Sequence, residues 1–305
     1  MDTQVGSLII VDDFLPRDLA EAMRADIDEH FSTPFKHLPT THQVWNYWFV
    51  PQVYTFLRTQ PEKVIQPARV DSFMGALRTW STETLGLARI SWPYLSLYID
   101  GCRQELHNDA KNGRFAFVFS LTRNERRSTG GETLVFRRGD PFLRNLRTAS
   151  AHTNFYELVE PRFNRLVIFD DRMVHGVQLV EGSMDPVQGR IVMHGHIEES
   201  GPVVSGPLRP EQVLQGLRPA LELFYKKYGE KAKQYDGPFV LRFVISGAGR
   251  VCGLRVILDR VFTAQEAEED WSSLANKLTD MLGSAVFPAC TAETGVTLPL
   301  RFDGR

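Results

Sequence analysis

Between residues 94 and 197 the apolar residues of this chain fall into short runs, at 95–99, 115–121, 133–136, 165–169, 174–180 and 190–197, punctuated by Gly, Asp and Pro. Short runs with that punctuation read as strands, and many of them in succession predict a β-sandwich or barrel of the jelly-roll kind. A strand at 8–11 precedes them, stopped by Asp12-Asp13-Phe14-Leu15-Pro16. A helix follows, with Leu19, Ala20, Met23 and Ile27 on one face, and 70–87 carries the same helical period. The break at Glu199-Ser200-Gly201-Pro202 through Gly206-Pro207 reads as a linker. Beyond it the pattern is helix (210–233), strand (239–246), strand (251–258), helix (264–281) and strand (296–302), with Gly247-Ala248-Gly249 as a hairpin turn. The expected fold is mainly β with flanking helices: a jelly roll over residues 1–200, then a small α+β domain over 207–305.

Composition narrows the function classes. With 35 basic against 37 acidic side chains, nothing favours nucleic acid as a partner. The cluster Arg123-Asn124-Glu125-Arg126-Arg127 reads as a solvated loop. No run of about twenty apolar residues exists, so no membrane span is expected. The start, Met1-Asp2-Thr3-Gln4, has no basic stretch followed by an apolar one, so no secretory leader is expected. Cys102, Cys252 and Cys290 have no short spacing between them, which argues against a disulfide framework and a thiolate zinc site and favours a reducing, cytoplasmic setting.

The histidines, at 30, 37, 42, 107, 152, 175, 194 and 196, all precede the linker, so the chemistry is expected in the first domain. His107 has Asp109 two positions on, and residues i and i+2 of an extended chain project from one face. Alone, this is as well read as a turn after Gly101. His175 opens a later strand that a jelly roll can bring beside the pair. Two imidazoles and a carboxylate on one face of a metal suit a non-haem iron(II) oxygenase, and a zinc hydrolase uses a similar set. Arg190 separates the two. Treated as the far arm of a hairpin, it lies roughly 10–15 Å from His175 at about 3.3 Å per residue. A five-carbon diacid spans that gap, chelating iron at its keto-acid end and meeting the guanidinium with its distal carboxylate.

The sequence resembles the 2-oxoglutarate/iron(II) oxygenase superfamily, in particular the prolyl 4-hydroxylase branch. The resemblance rests on Tyr98-Ile99-Asp100-Gly101 before His107-Asn108-Asp109, then Gly130-Gly131-Glu132-Thr133, His175 and Arg190, and covers the first two hundred residues. It implies a double-stranded β-helix, Fe(II), 2-oxoglutarate and O2 as cofactor and co-substrates, and Tyr98 and Thr133 helping Arg190 to hold 2-oxoglutarate. Tyr98 also reads as a packed core aromatic, and Thr133 as a plain strand residue. Prolyl hydroxylases usually carry Lys in place of Arg190 and a shorter turn before it, which leaves the substrate open. Asp109 stands where halogenating relatives have a small residue, which favours hydroxylation. The activity implied is hydroxylation of a C–H bond in a peptide, a protein side chain or an amino-acid-like metabolite, with release of succinate and CO2. A non-catalytic sensor of 2-oxoglutarate or metal and a zinc hydrolase are the alternatives.

Other features are secondary. Trp45-Asn46-Tyr47-Trp48-Phe49, after His37 and His42, reads as a cover over the barrel or a substrate-cleft wall. His194 and His196 share parity with Arg190 and read as core or pocket-wall residues. Asp170 and Asp171 read as acceptors orienting His175, or as turn residues. The last hundred residues loosely resemble the C-terminal fold of TonB-type transducers, in Gly237-Pro238-Phe239-Val240-Leu241-Arg242-Phe243-Val244-Ile245 and Thr297-Leu298-Pro299-Leu300-Arg301-Phe302. That likeness implies a docking or dimerisation module.

Overall fold

Short apolar runs in the middle of the chain build one large antiparallel sheet. The structure is a computed structural model and describes residues 8–32, 44–110, 112–136, 156–263 and 270–304; His37, His42 and His152 lie outside them. The chain divides into two compact units, one of residues 6–79 and 90–198, the other of 1–5, 80–89 and 199–305.

The first elements are β1 (Leu8–Val11), α1 (Arg17–Ser32), β2 (Asn46–Val50), β3 (Tyr54–Thr59), α2 (Pro67–Thr84), β4 (Arg89–Ile90), β5 (Tyr94–Tyr98) and β6 (Arg103–His107). They are followed by β7 (Phe115–Ser120), β8 (Thr133–Phe136), β9 (Tyr156–Val159), β10 (Arg165–Asp170), β11 (His175–Val177) and β12 (Arg190–Glu198). The strand order is β1-β10-β7-β12-β5-β3-β6-β11-β8-β9, with β2 beside β3 and β4 beside β12. This curled, jelly-roll-like sheet matches the expected fold class. α1 buries Ala20, Met23 and Ile27, and α2 buries Phe73, whose ring stacks on Phe119 at 4.9 Å between centroids. Both apolar faces follow the three- and four-residue spacing read in the sequence.

Three local readings change. β11 stops at Val177 and pairs with β6 and β8, while β12 pairs with β5 and β7. His175 and Arg190 therefore do not sit on two arms of one hairpin; the twelve-residue connection carries the chain to another part of the curled sheet. The stretch read as a linker contains β13 (Val203–Ser205), paired with the final strand, because a short extended segment beside an open edge satisfies its backbone groups there. The basic cluster is not uniformly solvated either. Arg126 Nη2 donates to the Gly130 carbonyl at 2.7 Å, and its Nη1 is buried without a hydrogen-bond partner among the described residues.

In the second unit α3 (Pro210–Ala232), β14 (Tyr235–Ile245), β15 (Val251–Asp259), β16 (Phe262–Thr263), α4 (Trp271–Gly283) and β17 (Thr294–Phe302) follow. The sheet runs β13-β17-β14-β15 with β16 beside β14. Val213, Leu217 and Phe224 of α3 and Leu274, Leu278 and Leu282 of α4 are buried in one core with the sheet. Gly249, at φ +72°, makes the turn between β14 and β15. No helix among the described residues is long and apolar enough to cross a membrane.

Candidate metal and co-substrate site

A cavity of about 790 Å³ opens inside the curled sheet of the first unit, within the usual range for small-molecule sites. Period-two projection fills its wall: Arg190, Val192, His194 and His196 of β12 all line it. His107, Asp109 and His175 line it too, and each brings a donor atom within 4.8 Å of the others.

Backbone pairing makes that cluster. His175 of β11 sits opposite His107 of β6, with ring centroids 4.3 Å apart. Asp109 lies just past the end of β6, where its N–H donates to the Asp171 carbonyl at 2.8 Å. Its Oδ2 is 3.5 Å from His175 Nε2 and 4.0 Å from His107 Nε2, while Oδ1 accepts from Asn112 Nδ2 at 3.0 Å. Each imidazole turns Nδ1 to a main-chain carbonyl, His107 to Glu105 at 2.8 Å and His175 to Met173 at 2.9 Å. With Nδ1–H donating there, the Nε2 lone pairs face the carboxylate, as a metal requires. Burial, then the neighbouring His175, lowers the His107 pKa and favours its neutral, ligating form. Burial pushes Asp109 up, but the two imidazoles outweigh it and hold the carboxyl below its ordinary value.

Asp170 and Asp171 make the turn after β10, where the Met173 N–H donates to the Asp170 carbonyl at 2.9 Å. Asp170 pairs with Arg172 at 2.6 Å, and Asp171 accepts from His196 Nδ1 at 3.1 Å. The His175 Nδ1 meets the Met173 carbonyl instead. Burial raises Asp171 to about 6, and His196 is raised because Asp171 outweighs its desolvation.

Arg190 is only 1% exposed, and its guanidinium donates from Nη2 to Thr133 Oγ1 at 3.0 Å. Its Nε and Nη1 are buried with no hydrogen-bond partner among the described residues. The guanidinium carbon lies 4.7 Å from the centre of the Tyr98 ring, a residue paired with Arg190 across β5 and β12. Gly131, at φ +77°, makes room for it: a Cβ there would come within 3.1 Å of Arg190 Cδ. Buried N–H groups are almost always satisfied, so two orphaned donors on one buried cation mark a place for an anion. Burial pushes the Tyr98 phenol up to about 12, and its hydroxyl donates to Gln104 Oε1 at 3.3 Å.

Residues that sequence reasoning missed complete the wall. Gln104 Nε2 lies 3.1 Å from His107 Nε2, so this carboxamide links Tyr98 to the imidazole cluster. Tyr54, Phe56 and Arg58 of β3 line the cavity with the period that could have revealed that strand. Trp48 lies in the cavity wall, whereas Tyr47 and Phe49 are exposed on the other face of β2. His194 bonds Ser96 Oγ at 2.8 Å, and burial, with Arg58 and Arg190 adding, holds its pKa near about 3.

This ring predicts an acid-side instability. Unfolded, His194 takes a proton below pH about 6.5, whereas the folded ring refuses it. Stability should therefore fall as pH drops from about 6.5, by up to about 1.4 kcal/mol per pH unit for one proton. His194→Gln should lose less stability than the native chain between pH 7 and 5 in urea unfolding; equal losses would refute the effect.

Residues 94–198 match the family model described as the 2OG-Fe(II) oxygenase superfamily. That segment belongs to the 2OG-Fe(II) oxygenase superfamily. Oxygenases of this superfamily use iron(II), 2-oxoglutarate and O2, and the two imidazoles, carboxylate and orphaned guanidinium suit those partners. Among solved structures, a Pseudomonas putida prolyl-4-hydroxylase is 18% identical, with a TM-score of 0.46, covering 64% of this chain and 94% of its own. A Trichoplax adhaerens prolyl hydroxylase, solved with a hypoxia-inducible-factor peptide, is 13% identical with a TM-score of 0.45, covering 62% and 82%. The α-ketoglutarate-dependent epimerase SnoN of nogalamycin biosynthesis is 12% identical with a TM-score of 0.43, covering 62% and 75%. At these values the likenesses carry no inference about substrate. No curated protein matches the chain.

Proposed function

We propose that the oxygenase unit hydroxylates an unactivated C–H bond of a peptide, a protein side chain or an amino-acid-like metabolite. One oxygen atom of O2 enters the product and the other enters succinate, as 2-oxoglutarate loses CO2. His107 and His175, through Nε2, and Asp109, through Oδ2, are the proposed iron ligands. Bound iron(II) supplies the oxygen activation that couples decarboxylation to attack on the substrate. The carbonyls of Glu105 and Met173 fix the two imidazole tautomers, and Asn112 holds the carboxylate from its other side. Gln104 has to swing off His107 Nε2 for that nitrogen to ligate, which frees its amide to face the co-substrate. Arg190 and Thr133 take the distal carboxylate of 2-oxoglutarate, with the Tyr98 ring packed beneath the guanidinium. The histidine-free second unit contributes none of these groups.

The observation that carries this reading is the orphaned Arg190 guanidinium in the same cavity as the donor set. A zinc hydrolase needs no keto-acid co-substrate, so a carboxylate clamp buried beside the donor set favours the oxygenase reading. The test is anaerobic addition of iron(II) and 2-oxoglutarate, followed by O2. A visible charge-transfer band and then succinate are expected. Neither signal would point to zinc hydrolysis, and a band without succinate would mark a binding module.

A further inference from the structure

Arg58 is the one cation of the cavity wall that the reading above does not use. It lies on β3, between Trp48 on β2 and Tyr94 on β5, the two strands that flank β3 in this region. Its guanidinium carbon is 3.5 Å from the centre of the Trp48 ring and 3.9 Å from that of Tyr94. Ring faces hold a guanidinium by its plane and leave the N–H groups along its edge free. Arg58 makes no hydrogen bond or ion pair with any described residue and is half-buried in the cavity wall. Burial lowers its pKa, though a guanidinium stays charged at neutral pH. Two rings thus hold a partly desolvated cation in place, with its donors directed at no hydrogen-bond partner among the described residues.

Charge counting gives the occupant's sign and size. Apart from histidines, the charged residues of the lining are Arg58, Arg190 and Asp109. Iron(II), the two carboxylates of 2-oxoglutarate, Asp109 and Arg190 together come to zero. His196 is balanced by Asp171, and His194 is neutral. The charge of Arg58 alone is left over, so a loaded cavity carries one net positive charge. A monoanion cancels it, whereas a phosphate monoester would leave an excess negative charge. The surrounding wall is aromatic, with Trp48, Tyr54, Phe56, Trp92 and Tyr94. Along β5, Arg58 stands opposite Ser96, two residues from the Tyr98–Arg190 level, on the order of 7 Å at about 3.3 Å per residue. A substrate gripped there lies beside the co-substrate and not in its place.

We propose that the primary substrate is a monocarboxylate with an apolar body, and that Arg58, clamped between Trp48 and Tyr94, determines specificity by pairing with that carboxylate. The proposal rests on reading the cavity as an iron and 2-oxoglutarate site.

The test measures binding by calorimetry to anaerobic protein loaded with iron(II) and 2-oxoglutarate. The probes are 3-phenylpropionate and hexanoate, each against its own amide. A charge-assisted pair in a partly desolvated site predicts at least about tenfold tighter binding of the acids than of the amides. Arg58→Gln should remove that preference and leave 2-oxoglutarate affinity unchanged. Equal binding of acid and amide by the native protein, no binding of either acid, or a preference that survives in Arg58→Gln would overturn the proposal. So would a loss of 2-oxoglutarate affinity in Arg58→Gln, which would make Arg58 part of the co-substrate clamp. Native protein that takes up no 2-oxoglutarate would overturn the underlying reading, and this is seen before any probe is added.

Discussion

Replacing His175 with alanine is expected to abolish iron(II) binding and succinate release. Loss of an outer hydrogen-bond partner of a metal ligand typically costs about 10–100-fold in affinity or activity, and loss of a ligand itself should exceed that. His175 is the central member of the cluster: it is 3.5 Å from Asp109, and its ring centroid is 4.3 Å from that of His107. Its side chain is only 9% exposed and its ring lies 4.6 Å from that of Phe169. Truncation there also opens a gap, so some loss of thermal stability is expected as well. His107→Ala separates the two effects, because that side chain is 24% exposed. It should lose the charge-transfer band and succinate release as fully, with little change in melting temperature. Either variant retaining a tenth or more of native turnover would remove that histidine from the proposed ligand set.

Arg190→Met is expected to act in opposite directions on binding and stability. In the native chain a cation 1% exposed has two donors with no partner among the described residues. An uncompensated buried charge is costly, and an apolar side chain of similar length removes the cost. The variant should therefore melt at a higher temperature than native protein when 2-oxoglutarate is absent. Its 2-oxoglutarate affinity should fall by about 100-fold, the loss of roughly 3 kcal/mol expected for a charge-assisted carboxylate pair. Melting curves with and without 2-oxoglutarate read both effects. A variant that melts lower and binds 2-oxoglutarate normally would show Arg190 to be an ordinary structural residue.

Both predictions concern residues visible in the sequence, and it is instructive why they were. His107, Asp109, His175, Tyr98, Thr133 and Arg190 stand on or beside strands, and they appear in a characteristic order. Arg58 and Gln104 did not stand out. Their strands, β3 and β6, are short and mixed in polarity, and neither residue type is unusual alone. The linker reading of 199–207 failed for a related reason: β13 has three residues and exists because β17 offers it an edge. Of the two readings of Asp170 and Asp171, the turn is the one seen, because proximity in sequence does not decide which acceptor an imidazole meets.

Periodicity, turn residues and the order of titratable side chains are local properties, and they were enough to determine strands, a jelly-roll class, a candidate metal set and a candidate carboxylate clamp. Which strands become neighbours is a long-range outcome of burying one face of a twisted sheet. Tertiary structure alone decided that β11 lies between β6 and β8, that Gln104 bridges Tyr98 and His107, and that Trp48 and Tyr94 close on Arg58 from two sides. Pairing partners are chosen by packing across the whole sheet, and no short window of sequence contains that information.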